Sequence, residues 1–220
     1  MLKKIFNETK TIAYLTIGVV FIGYYIQVKL PYDTYRSHAA GPYLAQTNPI
    51  LIKGKEIYQT LGCQYCHTQN LRPLSPDMVR FANTKESGYL TNSNPMEDYF
   101  NSPSVKGSTR IGPDLSRIAI KYSPEQLESL LKSKGELNLK SAYHQYSYLF
   151  SESEKFDVWD GIFLSWKIRA MMNAGVPYSD PFQNSVFTVL KDKTKGEALV
   201  DYLSSIGEQQ NKYVSKYYKK

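Results

Sequence analysis

The longest apolar run in the chain, TIAYLTIGVVFIGYYIQV from Thr11 to Val28, carries no charge over 18 residues, with Lys3, Lys4 and Lys10 before it and Lys29 after it. As a helix it would rise about 27 Å, close to the roughly 30 Å hydrocarbon core of a bilayer, with Tyr24, Tyr25 and Tyr32 at the interface. The pattern predicts a single membrane span. Because the short N-terminal flank is basic, the positive-inside rule puts it in the cytoplasm and everything after Lys29 on the outer side. A cleaved signal peptide and a buried core helix are the competing readings. The run is longer than the usual signal core of about 7–15 residues, and its small-residue site, Ser37-His38-Ala39, lies well past its end, so it is read as a retained anchor.

Beyond the span the periodicity changes. From Lys29 to Leu51 no period is sustained, and Pro31, Gly41, Pro42 and Pro49 punctuate a connector in which His38 is an exposed side chain. Gly54 to Gly62 sets Ile57, Tyr58 and Leu61 close together, which predicts a short amphipathic helix that ends at Gly62. Residues 71–113 are rich in Pro, Asn, Ser and Gly and too long for a simple turn; they are expected to wrap something other than their own side chains. Ser123-Pro124 ahead of an apolar face of Leu127, Leu130 and Leu131 predicts an N-capped helix, with Gly135 closing it. A second helical pattern covers residues 160–174, with Gly175 and Pro177 beyond its end, and a third runs from Thr194 to Ile206 with Leu199, Tyr202, Leu203 and Ile206 on one face. No strand pattern and no repeat emerges. The expectation is an all-α chain: an anchor at 1–30, a connector at 31–51, one domain at 52–207 and a basic tail at 208–220.

Composition narrows the function. A chain of 220 residues with 42% apolar and 21% charged side chains holds one folded domain plus an appendage, not a disordered or repetitive polymer. The net charge is +7, yet the basic residues are scattered except for Lys212, Lys216, Lys219 and Lys220, so no nucleic-acid stripe is formed and no nucleic-acid partner is expected. The 19 tyrosines imply no mechanism by number alone. Two cysteines, Cys63 and Cys66, exclude a disulfide scaffold and are too few for a four-thiolate zinc or iron–sulfur site.

Those two cysteines belong to Cys63-Gln64-Tyr65-Cys66-His67, the C-x-x-C-H attachment signature of c-type haem. Two thiols one helical turn apart can add to the two vinyl groups of one haem, and the adjacent imidazole then comes up under the iron. A thioredoxin-like pair would need a βαβ setting and a zinc site a second ligand pair, and neither is present. One covalent haem c on Cys63 and Cys66, with His67 as iron ligand, is the expectation. It agrees with translocation, because covalent haem attachment takes place on the outer side of the bacterial membrane.

With that motif in place, the segments GCQYCHTQNLRP (62–73), KGSTRIGPDLSRIAIKYS (106–123), WKIRAMMNAGVPYSD (166–180) and GEALVDYLSSIG (196–207) closely resemble subunit II of cbb3-type cytochrome c oxidase. The resemblance implies a class I cytochrome c-like domain on one N-terminal span in the bacterial inner membrane, its N-terminus cytoplasmic and its haem domain periplasmic. It implies an electron relay that is not catalytic alone: electrons arrive from a di-haem cytochrome c subunit and pass to haem b of the catalytic haem b/copper subunit I. Gly112-Pro113 stands where such cytochromes run a Gly-Pro pair behind the proximal histidine, which makes Pro113 the acceptor for the His67 Nδ1 proton. By the same likeness Gly54 and Tyr58 should cross Tyr202 closely, and Arg72 and Arg110 are candidates to pair with haem propionates or a subunit interface, alongside a plain role as surface arginines.

One stretch departs from the pattern. Counted without gaps, the family's axial methionine falls at Tyr143, within SAYHQYSYL (141–149), and the five methionines lie elsewhere, at Met1, Met78, Met96, Met171 and Met172. His144 is the next residue and a good iron ligand, so His67 and His144 are the expected axial pair, ahead of Tyr143, a methionine or an open site. An open site would suit a different function, a membrane-tethered haem c sensor or ligand-binding module. The role of the loop at 74–105 does not follow from its residues.

Overall fold

The computed structural model describes residues 9–31 and 33, 48–69, 107–116, 118–133 and 144–207. Arg72, Tyr143, His38, Gly135, the loop at 74–105, most of the connector and the basic tail lie outside them. Helices dominate and no strand forms among the described residues; an isolated antiparallel bridge joins Lys155 to Thr194. The chain is therefore mostly helical, as its periodicity predicts.

Helix α1 (Thr9–Tyr24) widens into a π-helical turn at Tyr25–Lys29. From Lys10 to Lys29 it is long and apolar enough to cross a membrane, and none of it is buried against the rest of the chain. Its apolar side chains, Val19, Val20, Phe21 and Ile22 among them, point outward on all sides. That is the opposite of a core helix.

Helix α2 (Pro49–Thr60) begins five residues earlier than its sequence pattern suggests, so the last residues of the expected connector are its first turn. Asn48 caps it by accepting the Ile50 N–H at 3.1 Å, and Pro49 takes the first helical position, where a missing N–H costs nothing. Ile50, Leu51 and Ile52 are consequently buried. The helix ends as expected at Gly62, which adopts φ +72°, a left-handed conformation that glycine enters without strain. The short helix α3 (Ile118–Lys121) leads into α4 (Pro124–Leu131), opened by the expected Ser123 cap: the Ser123 hydroxyl accepts from Gln126 N–H while the Gln126 side chain accepts from Ser123 N–H. Helix α5 (Val158–Asn173) follows, then α6 (Asp180–Asn184), α7 (Val186–Leu190) and α8 (Lys195–Ser205), with Asp157 and Thr194 building the same reciprocal cap for α5 and α8.

Two buried clusters flank the crossing of α2 and α8. One contains Tyr58, Leu115, Leu127, Leu131, Leu149 and Leu203, with Cys63 packed at its edge. The other joins Ile50 and Ile52 to Leu164, Ile168, Val186 and Leu190, with Met172 packed against it. Between them the two helices meet at Gly54. A Cβ there would sit 2.5 Å from Tyr202 Cβ and closer still to the Ala198 carbonyl oxygen, and just beyond it the rings of Tyr58 and Tyr202 meet edge-on at 5.6 Å and 61°. Gly54→Ala should therefore destabilise the domain. Overpacking against backbone costs about 1–3 kcal/mol, which outweighs the roughly 1 kcal/mol that alanine gains over glycine in helix propensity. Thermal unfolding measures it, and an unchanged midpoint would show that the two helices can move apart.

Candidate functional site

The C-x-x-C-H run forms a tight 3-10 turn, Cys63–Tyr65, in which Cys66 N–H and His67 N–H both donate to the Cys63 carbonyl, at 3.1 and 2.9 Å. Cys63 and Cys66 stand one turn apart, both thiols free and half-buried. Burial pushes the Cys63 thiol up to about 11, and the neighbouring Cys66 adds in the same direction, so it stays protonated near neutral pH. His67 follows at once and is buried.

The chain then returns behind the histidine. Gly112 N–H donates to the Cys66 carbonyl at 2.8 Å, Leu115 N–H to the Thr68 carbonyl at 2.7 Å, and the Thr109 hydroxyl to the Tyr65 carbonyl. Described residues of the Pro/Gly-rich segment thus wrap the motif. At the turn, His67 Nδ1 donates to the Pro113 carbonyl at 2.8 Å. A carbonyl can only accept, so the proton sits on Nδ1 and Nε2 keeps its lone pair for a metal. Gly112 is what permits the approach: a Cβ there would lie 2.7 Å from His67 Nδ1 and nearer still to Cε1.

Opposite His67 stands His144. The two ring centres are 5.8 Å apart and the planes differ by 22°. The near-parallel rings give the site two imidazoles, either of which could hold a metal through a ring nitrogen. His144 is half-buried, and burial together with the His67 ring holds its pKa below the usual value. The structure brings the His144 ring beside that of His67, and Met172 packs against the second cluster, on α5.

Among the described residues, two buried polar atoms on the motif and just after it, Gln64 Oε1 and Gln69 Nε2, have no hydrogen-bond partner, while Tyr58 Oη lies in reach of the Gln69 side chain. Buried groups of this kind cost free energy unless a partner meets them, and two of them within the stretch from Gln64 to Gln69 fit a site built for a further group. Gln69 Oε1 is occupied, accepting from Tyr202 Oη at 3.1 Å. Two thiols, one orphaned set of polar atoms and two facing imidazoles therefore suit a haem.

Arg110 has a partner inside the chain. Its Nε donates to Thr68 Oγ1 at 2.6 Å and its terminal nitrogen lies 3.3 Å from Asp114 Oδ2, while Thr68 Oγ1 donates to the same carboxylate oxygen. Asp114 Oδ1 accepts from Ser116 N–H at 2.9 Å and from the Ser116 hydroxyl. The Asp114 side chain is 1% exposed. Sequence reasoning took Gly112-Pro113-Asp114-Leu115 for its Gly-Pro alone and missed the carboxylate. Arg110 and Asp114, opposite charges four residues apart on either side of the Gly-Pro pair, were the available signal. Arg72, paired with Arg110 in that reading, falls outside the described residues.

Compared with protein-family models, residues 3–216 match the family described as Cytochrome C oxidase, mono-heme subunit/FixO. Among curated proteins the comparison finds no match.

Proposed function

The chain belongs to the mono-haem subunit family of cbb3-type cytochrome c oxidases, and from that membership we propose an electron-transfer subunit whose one haem c is attached through Cys63 and Cys66 and held between His67 and His144. The family implies a haem and a place in an oxidase complex, and the apolar helix Lys10–Lys29 fits a membrane-anchored protein. The observation that carries the finer reading is the pair of imidazoles facing each other at 5.8 Å directly after the two free thiols.

When bound, the haem supplies a one-electron couple at its iron. Everything else is the work of this chain. Pro113 fixes the ring orientation and tautomer of His67 and raises its basicity. The first cluster, from Tyr58 to Leu203, keeps water from the inner face of the site. On this reading the subunit receives electrons from a di-haem cytochrome c subunit and hands them to haem b of the catalytic haem b/copper subunit. Trp159, Phe163 and Trp166, all exposed on one face of α5, support a chain that works inside an assembly, since large outward aromatic patches mark interaction surfaces. A tethered sensor would need an open sixth position, and the His144 ring opposite His67 speaks against it.

Intact-protein mass in denaturant tests attachment: the chain should exceed its polypeptide mass by one haem, and haem that extracts into acidic acetone would overturn the thioether bonds. Orientation is tested separately. With the basic flank cytoplasmic and the domain periplasmic, protease added to spheroplasts should digest the haem domain and leave the anchor in the membrane. Release by osmotic shock of a chain starting near Ala40 would instead mean a cleaved signal.

A further inference from the structure

We propose that Ser133 is a positioning residue for the sixth iron ligand, an inference that rests on reading His67 and His144 as the axial pair. Helix α4 ends at Leu131 with Lys132 as its cap, and Ser133 takes the next position at φ +52°. That place and that conformation usually belong to glycine, because a Cβ crowds the backbone there. Ser133 N–H donates to the Leu130 carbonyl at 3.1 Å, a bond glycine would make equally well. What glycine could not supply is the hydroxyl, and the Ser133 hydroxyl donates to the backbone carbonyl of His144.

A second bond acts beside it. Tyr146 N–H donates to the Leu131 carbonyl at 2.9 Å, so the segment carrying His144 is fastened at two points to the end of α4. That end is itself fixed, since Leu127 and Leu131 are buried in the first cluster with Tyr58 and Leu203. The carbonyl that Ser133 holds is that of His144 itself, adjacent to the Cα that bears the imidazole. Losing the hydroxyl removes the hold on the carbonyl of the one residue whose ring must stay opposite His67, and leaves the Tyr146 bond two residues on. The strained serine is thus explained by what its side chain holds.

The test uses the haem-loaded full chain with Ser133→Gly and Ser133→Asn. Glycine removes the donor while relieving the left-handed backbone, so the unfolding midpoint should hold or rise. Cyanide, which must await departure of His144, should nevertheless bind the ferric protein about five- to tenfold faster, the factor that loss of one ordinary hydrogen bond gives. Asparagine tolerates the left-handed region and keeps a side-chain donor, and should return the rate to that of the parent. An unchanged cyanide rate in Ser133→Gly overturns the proposal, and so does a fall in midpoint with no change in rate, which would mark a purely structural residue. If His144→Ala leaves spectrum and rate as they were, it is the axial-pair reading that fails.

Discussion

His144→Ala should convert the haem-loaded protein from a six-coordinate low-spin spectrum to a high-spin one, and the reduced variant should take up carbon monoxide that the parent excludes. The expectation follows from geometry before chemistry. His67 presents Nε2 because its Nδ1 proton is given to Pro113, and the imidazole of His144 stands with its ring centre 5.8 Å from that of His67. Replacing that imidazole by a methyl group leaves the sixth position open, and added imidazole should restore the low-spin spectrum. The parent should also lack the weak far-red absorption of iron bonded to methionine sulfur. Because methionine ligation raises the potential of c-type haem, the parent's potential should lie below that of a His/Met relay. A far-red band in the parent, or an unchanged variant, would sink the assignment.

Much of this architecture was legible from local signals. The caps at Ser123 and Thr194 are short-range chemistry, decided within four residues, and α4 and α8 begin where those residues predict. The Gly54 crossing came from the family resemblance, and the structure places Gly54 against Tyr202 and Ala198 as that likeness implies. The start of α2 was not. Prolines punctuate the connector, and Pro49 reads there as one more break, whereas its place after the Asn48 cap makes it a helix start. Helices α6 and α7 span five residues each, too short for any period to show. The end of α4 escaped for another reason: Gly135 was the expected stop, but the left-handed position falls on Ser133, whose hydroxyl has its partner eleven residues away. Arg110 illustrates the general limit. Its residue type admitted a propionate, an interface or solvent, and the carboxylate that meets it inside the chain becomes visible only when Asp114 and Thr68 are folded around it.

That carboxylate carries the second large effect. Asp114→Ala should cost about 3–5 kcal/mol of stability, the usual consequence of removing one partner from a buried charge pair, and with it roughly 2–4 °C of melting temperature per kcal/mol. The carboxylate is 1% exposed and accepts from Arg110, from Thr68 and twice from Ser116. Alanine takes the carboxylate away from a guanidinium that is itself only 18% exposed, and from the Ser116 N–H. Arg110→Gln should cost less, since a neutral donor can still reach Thr68 or Asp114, and the double variant should cost less than the sum of the singles because the two share one interaction. The site should respond as well as the fold. Asp114 follows Pro113 directly, so loosening it loosens the carbonyl that takes the His67 Nδ1 proton; a less basic ligand stabilises the reduced iron, and the potential should rise. Asp114→Asn separates the two effects, because it preserves shape and the Ser116 bonds while losing the ion pair. A loss below 1 kcal/mol in Asp114→Ala, with an unmoved potential, would show that the loop behind His67 is held by its backbone bonds to Cys66 and Thr68 alone.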